Sequence, residues 1–225
     1  MSKNWSLPIE TRARDVLLQL NRNRRLAQYI DTSLGIPQPF RGESKIKLVV
    51  LGQDPTVKDA AARKNIKMVL NLDKRGSVNA YLGIICRGLG IEKENIYATN
   101  LYKNFFIAPP TQIEAINIFQ EFSPVWLPVL MDELAEFVNV PMITLGEPIL
   151  APLLSVGAIP KIRHYWGYVT EWKTQELLPF GFLRPDENKL GRTVFPFPHQ
   201  PSLRKEFYRT KMENYLAYVK AQAFQ

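Results

Sequence analysis

Residues 47–56 read KLVVLGQDPT, a stretch in which an apolar run leads directly into an acidic turn. The run KLVVL is short, rich in aliphatic side chains and followed by Gly52, which is typical of a buried strand. Asp54 comes two residues later and precedes Pro55, and an aspartate in such a place often caps its own backbone. The stretch predicts a strand with a carboxylate at its carboxyl end, serving either the turn or a reaction.

Three further apolar runs have the same character and are predicted to be strands: NIYAT (95–99), PMITL (141–145) and RTVFPF (192–197). Segments of helical spacing lie around them, at 9–30, 77–89, 111–137, 147–155 and 202–223. Pro124 and Pro128 are predicted to break or offset the third of these segments. Alternation of strands and helices predicts an α/β fold, here a three-layer α/β/α sandwich around a short, mainly parallel, four-stranded sheet.

The length of 225 residues fits a single domain covering 1–225. Residues 156–191 do not follow the alternation and read as an irregular or hairpin insertion within that domain. The chain has no apolar stretch of the roughly 18 residues that a membrane span requires, and its first residues lack the apolar core of a signal peptide. We therefore expect a cytoplasmic, nucleoid-associated monomer that does not bind membranes.

The net charge is +8 and the isoelectric point is near 9.5, which favours a polyanionic partner and nucleic acid above all. Many basic proteins bind no nucleic acid, so the charge is only an indication. Cys86 is the single cysteine, which excludes an internal disulfide, an all-cysteine iron–sulfur site and an all-cysteine zinc site. We expect neither a metal nor a cofactor.

Polar side chains follow each predicted strand. Gln53 and Asp54 follow the first, Asn100 the second, Gly146 and Glu147 the third, and His199 the fourth. In open parallel sheets, ligands bind outside the carboxyl ends of the strands. A carboxylate, an amide and an imidazole from distant parts of the chain are therefore predicted to meet at one edge of the sheet.

These groups suit one kind of chemistry. An asparagine can read the amide-like edge of a nucleobase, and a histidine can donate to an oxygen that gains charge as a bond breaks. An aspartate can orient water or stabilise a positively charged sugar. No second carboxylate is clearly paired with Asp54, and no Walker loop, GxGxxG, GxSxG or HExxH sequence occurs. The combination predicts cleavage of an N-glycosidic bond.

Four segments resemble the uracil-DNA glycosylase superfamily, in the order that the superfamily has them, across about residues 45–210. They are GQDPT (52–56), IYATNLYKNFFIAPP (96–110), PMITLGEPILAPLL (141–154) and TVFPFPHQPSLRKEF (193–207). GQDP is the most specific of the four. The resemblance implies an enzyme that flips a uracil or another damaged base out of DNA and hydrolyses its bond to deoxyribose.

The resemblance also implies roles for individual residues. Asp54 positions the attacking water and stabilises the sugar cation, while His199 stabilises the departing base. Gln53 lines the base pocket and Asn100 hydrogen-bonds the base. Three further residues are implied to contact DNA: Ser202, Leu203 and Arg204. Of these, Leu203 is either an apolar wedge in the base stack or simply the first apolar residue of the last helix.

Three positions depart from the superfamily pattern. Thr56 stands where uracil-specific members have a tyrosine that blocks the thymine methyl, and Leu70 stands where they have a phenylalanine that stacks on the base. Gln200 separates His199 from Pro201. These departures leave the preferred base open. They also leave two alternatives: a relative that binds nucleic acid without turnover, and an enzyme that acts on free nucleosides or nucleotides.

Overall fold

A computed structural model describes residues 5–155, 162–167, 179–199 and 205–224 of the protein. Four of its strands form where the apolar runs predict them, because β-branched and aromatic side chains fit a pleated, buried surface. The strands are β1 (Phe40–Arg41), β2 (Leu48–Gly52), β3 (Ile96–Asn100), β4 (Met142–Leu145) and β5 (Val194–Phe197). Every residue of β2 to β5 is buried, so both faces of this part of the sheet are covered.

The strands form one mixed sheet in the order β1-β3-β2-β4-β5. Strands β2 to β5 run parallel to one another, whereas β1 pairs antiparallel with β3. In this register Gly52 lies opposite Asn100, and Leu145 lies opposite Phe197. The carboxyl ends of the four parallel strands therefore lie in one row, and the loops that follow them share one edge of the sheet.

The helices are α1 (Leu7–Arg22), α2 (Arg24–Ala27), α3 (Ala60–Arg63), α4 (Ser77–Leu89), α5 (Ile118–Leu134), α6 (Leu150–Leu153), α7 (Lys205–Thr210) and α8 (Met212–Ala223). Asn23 separates α1 from α2 because its side chain accepts hydrogen bonds from two backbone N–H groups of the next turn and caps a new helix. Helix α5 continues through Pro124 and Pro128. Both prolines are exposed, so water can bond the carbonyl groups that lose their helical partner.

A buried polar cluster ties α5 to the sheet and to the start of the chain. The Glu133 carboxylate accepts from Trp5 Nε1 at 2.8 Å and from the Tyr97 hydroxyl at 2.6 Å, and it forms an ion pair with Lys103. Lys103 also donates to Thr99 Oγ1 at 2.7 Å. Burial lowers the pKa of Lys103, and the Glu133 charge acts against that shift. Because an unpaired buried charge is costly, this arrangement holds α5 in one position on β3.

The prediction of an α/β fold with a mainly parallel sheet is confirmed, since three of the four strand pairings are parallel. The prediction of four strands is wrong, because β1 adds a fifth strand at the edge next to β3. Only two residues long and preceded by Pro39, β1 is too short to show a period in the sequence. Proline is tolerated beside it because an edge strand leaves half of its N–H groups unpaired.

The helix predictions need three smaller corrections. The segment 9–30 forms two helices, α1 and α2, and the segment 111–137 becomes helical only at Ile118. The segment 147–155 contains only the single turn of α6. Much of the predicted insertion 156–191 and the start of the predicted helix 202–223 lie outside the described residues. Within the described ranges, no helix combines the length and apolar character that crossing a membrane requires.

Candidate functional site

A cavity of about 1050 Å³ lies at the edge where the parallel strands end. Its polar side chains come from the loops after β2, β4 and β5 and from Thr111 and Gln112 after β3, and its apolar wall comes mainly from prolines and Trp166. The residues that line it include Gln53, Asp54, Thr56, Lys58, Pro109, Pro110, Gly146, Glu147, Pro148, Trp166, Pro198 and His199. Asp54 and His199 are therefore brought together, although 145 positions separate them in the sequence.

Asp54 is partly buried in the wall of this cavity. Its Oδ1 accepts a hydrogen bond from the Thr56 backbone N–H at 2.7 Å. Burial raises the pKa of Asp54 to about 6, and the hydrogen bonds from Thr56 and the positive charge of Arg63 act in the opposite direction. The Asx-type turn that the sequence suggests is present, and the same carboxyl group also faces the cavity, so the two interpretations of Asp54 are compatible.

His199 also lines the cavity and is the second residue after β5. Its side chain reaches solvent, yet the surrounding cavity wall removes enough water to lower the pKa of the imidazole. Gly146 makes room for it: a Cβ on Gly146 would lie 3.2 Å from His199 Cβ. The φ of +102° at Gly146 is also one that side chains rarely adopt.

Thr56 and Gln53 line the cavity as the sequence suggests, and both also hold the loop in place. The Thr56 hydroxyl oxygen accepts from the Phe106 backbone N–H at 2.8 Å, and the Gln53 carbonyl accepts from the Tyr102 N–H at 2.9 Å. The loop that carries Asp54 is therefore bonded to the segment that follows β3. Thr56 has a structural task that a tyrosine could not perform in the same way, because a phenolic oxygen lies too far from the backbone.

Asn100 is at the same edge of the sheet but is not among the residues that line the cavity. It is 1% exposed, and its Oδ1 has no hydrogen-bond partner within the described part of the chain. A Cβ on Gly52 would lie 2.3 Å from this oxygen and 3.1 Å from Leu70 Cδ2. The amide thus packs against the Gly52 backbone, close to Leu70, and is not among the residues that line the cavity with Asp54.

Leu70 lies in a single 3₁₀ turn, Val69–Asn71, where it has a φ of 56° and Asn71 has a φ of 53°. A left-handed leucine is uncommon and strained. Leu70 lines a second, smaller cavity of about 360 Å³, which shares Val57 with the main one. The position that the resemblance assigns to base stacking is therefore next to the main cavity, not in it.

The remaining implied DNA contacts, Ser202, Leu203 and Arg204, lie outside the described residues, as does Gln200. Two lining groups were assigned no role from the sequence. Glu147 brings a second carboxylate to the cavity, and the Pro109–Pro110 pair forms part of its apolar wall. The signal for Glu147 was its place directly after a parallel strand, the same signal that marked Asp54.

Neither a metal site nor a reactive thiol emerges from the described residues. No group of three or more potential metal ligands occurs among them. Cys86 is buried in α4, and burial raises the pKa of its thiol to about 11, which keeps it protonated at neutral pH.

The chain was compared with known proteins at the level of sequence. No model of a protein family matches it, and no curated protein does either.

Proposed function

We propose that the protein is a DNA glycosylase that hydrolyses the N-glycosidic bond of uracil or of another deaminated or damaged base. The observation that carries this proposal is the meeting of Asp54 and His199 in one cavity large enough for a nucleotide. Their pKa values are shifted in opposite directions, with that of Asp54 raised to about 6 and that of His199 lowered. Both shifts have the same cause, burial that disfavours the charged form, and perturbed pKa values of this kind cluster at functional sites.

The protonation states follow from these shifts. At pH 7 to 8 Asp54 is mostly ionised, so it can orient a water molecule or stabilise the positive charge that develops on the sugar. His199 is neutral in the same range and offers one N–H group to the base as it leaves with the bonding electrons. The reaction consumes one water, whose hydroxyl joins the sugar carbon and whose proton ends on the base.

The charge and the fold support the same proposal. A net charge of +8 favours a polyanion such as DNA. A base inside duplex DNA cannot reach a cavity at the edge of a sheet, so the nucleotide must be extruded at a cost of a few kcal/mol.

Helix α1 packs on α5, and α4 packs on α8. We propose that these pairs cover opposite faces of the sheet and complete a three-layer sandwich, as the resemblance to the uracil-DNA glycosylase superfamily implies.

One observation favours a second candidate, a nucleic-acid-binding relative without turnover. The Asn100 amide, which would read the base, lies outside the main cavity and packs near Leu70. A protein that no longer reads a base would tolerate this arrangement, provided that its basic surface still bound the phosphates.

A lesion-panel assay separates the two candidates. Oligonucleotides that carry uracil or other deaminated bases are incubated with the protein, and abasic sites are detected by alkaline cleavage. We expect cleavage of at least one lesion, and a loss of about 10²- to 10⁴-fold in Asp54→Asn. Asp15→Asn is the matched control, because Asp15 is exposed on α1. Binding without cleavage of any lesion would favour the second candidate, and reaction of free nucleosides alone would contradict both.

A further inference from the structure

Arg63, the last residue of α3, is an arginine whose side chain is withdrawn from solvent. It is 4% exposed, and among the described residues the one carboxylate within ion-pair distance is that of Asp31, with 3.9 Å between Nη1 and Oδ2. Burying a guanidinium is costly unless its N–H groups are bonded. An apolar side chain would fill the same space without that cost. The hydrogen bonds of the guanidinium therefore indicate what the arginine does at this position.

The guanidinium joins the loop that borders the main cavity to the segment that follows β3. Nε donates to the Val57 carbonyl at 2.8 Å, and Nη2 lies 3.4 Å from that of Lys58. Nη1 donates to the carbonyls of Phe106 and Ile107, at 3.0 and 2.9 Å. Val57 and Lys58 directly continue the loop that carries Asp54, whereas Phe106 and Ile107 belong to the segment after β3.

A second bond connects the same two segments on the other side of the loop. The Phe106 N–H donates to Thr56 Oγ1 at 2.8 Å, and the Thr56 N–H in turn donates to the Asp54 carboxylate. A chain of bonds therefore runs from Arg63 through Phe106 and Thr56 to Asp54. The planar fork of an arginine can bond several carbonyls at once, whereas a lysine ammonium cannot reproduce that geometry.

We infer that Arg63 is a positioning residue, which fixes the loop 53–58 against the segment 105–107 so that the Asp54 carboxylate is held towards the cavity. This inference rests on the proposed function, since Arg63 acts through Asp54. Its charge also opposes the effect of burial on Asp54. The other titratable or charged groups near Asp54 are Tyr102 behind the loop and three residues that line the cavity: Lys58, Glu147 and His199.

The test compares Arg63→Gln and Arg63→Lys with the wild type. The pKa of Asp54 is measured by NMR titration of ¹³C-labelled aspartate carboxyl groups, with Asp54→Asn identifying the resonance. Arg63→Gln removes the charge, and we expect it to raise the pKa of Asp54 above about 6 by roughly half a unit or more. Arg63→Lys keeps a charge but not the fork, and we expect a smaller rise.

On the lesion that the wild type cleaves, we expect kcat to fall by about tenfold or more in both variants. We expect KM to change by less than roughly twofold, because the loss is in positioning and not in binding. The acid limb of the kcat profile should move to higher pH in Arg63→Gln by the same amount as the NMR titration.

Arg192→Gln is the matched control. Arg192 also donates to several backbone carbonyls, among them those of Phe137 and Val140, and none of these residues lines the cavity. Should the pKa of Asp54 be the same in Arg63→Lys, Arg63→Gln and Arg192→Gln, the inference is overturned. The titration needs no turnover, so a wild type that cleaves no lesion would refute the proposed function while the titration still decided the role of Arg63.

Discussion

Asp54 occupies a place where its ionised form is disfavoured by burial, which raises its pKa from the ordinary 3.8 to about 6. Such a group contributes stability that is fully present below pH 3.8 and is lost as the pH rises through about 6. We therefore expect Asp54→Asn, whose side-chain oxygen can still accept from Thr56, to gain stability relative to the wild type between pH 4 and pH 8. The gain is of order 1 to 3 kcal/mol.

Chemical denaturation of both proteins at several pH values measures this difference. Asp15→Asn again serves as the control, because its exposed carboxylate lies on α1, away from the cavity. A stability difference between wild type and Asp54→Asn that stayed constant from pH 4 to pH 8 would contradict the raised pKa. A difference that grows with pH would mean that the chain keeps an unfavourable carboxylate at this position, as functional sites often do.

Single residues differ in how far the sequence predicts their surroundings. The carboxyl-end rule is enough to place Asp54 and His199 at one edge, because it depends only on strand direction. It does not say to which side Asn100 projects, since the rotamer is set by contact with Gly52 and by nearby Leu70. Arg63 could not be found in this way either, because an arginine at the end of a short helix is usually solvated, and its carbonyl partners come from two separate loops.

At the scale of elements, the close packing at the end of β2 requires a glycine, which has no side chain. A Cβ on Gly52 would lie 2.3 Å from Asn100 Oδ1, a separation at which something must shift. Both residues are buried at the end of paired strands, so neither can move away easily. We expect Gly52→Ala to lower the free energy of unfolding by about 2 kcal/mol or more.

Gly35→Ala is the comparison for this prediction. Gly35 has no atom within 4 Å of the position of a Cβ, so its replacement should be neutral or slightly stabilising. Thermal and denaturant unfolding of the two variants measure the difference. Equal stabilities of Gly52→Ala and Gly35→Ala would show that Asn100 is free to rotate away, and would argue against the close packing of this amide.

Elements with a clear pattern of apolar residues were predicted better than those without one. The core strands β2 to β5 were found to within two residues at either end, because each is a continuous apolar run. Strand β1 was missed because two residues carry no period. The extent of α5 was uncertain for a different reason: prolines normally end helices, and only the exposure of Pro124 and Pro128 makes them compatible with this one.

At the scale of the whole molecule, the property of the sequence that bears most directly on function is the net charge of +8. A net charge of this size affects which partners the protein binds and how fast it binds them, but it does not determine the fold. Both candidate functions use it in the same way, through contacts to phosphates, and they differ only in whether a bond is cleaved afterwards. A binding measurement therefore tests the phosphate contacts that both candidate functions share.

We expect the affinity of Asp54→Ala for an oligonucleotide to equal that of the wild type and to fall steeply with salt. If about four phosphates are contacted, raising the salt concentration fourfold should weaken duplex binding by about 10²-fold, because each contact releases a condensed counterion. Fluorescence anisotropy across a salt series measures the slope, and an uncharged peptide nucleic acid of the same sequence is the control ligand. An affinity that does not respond to salt, or that is equal for both ligands, would mean that the basic surface does not contact phosphates. Nucleic acid would then cease to be the partner that this charge indicates.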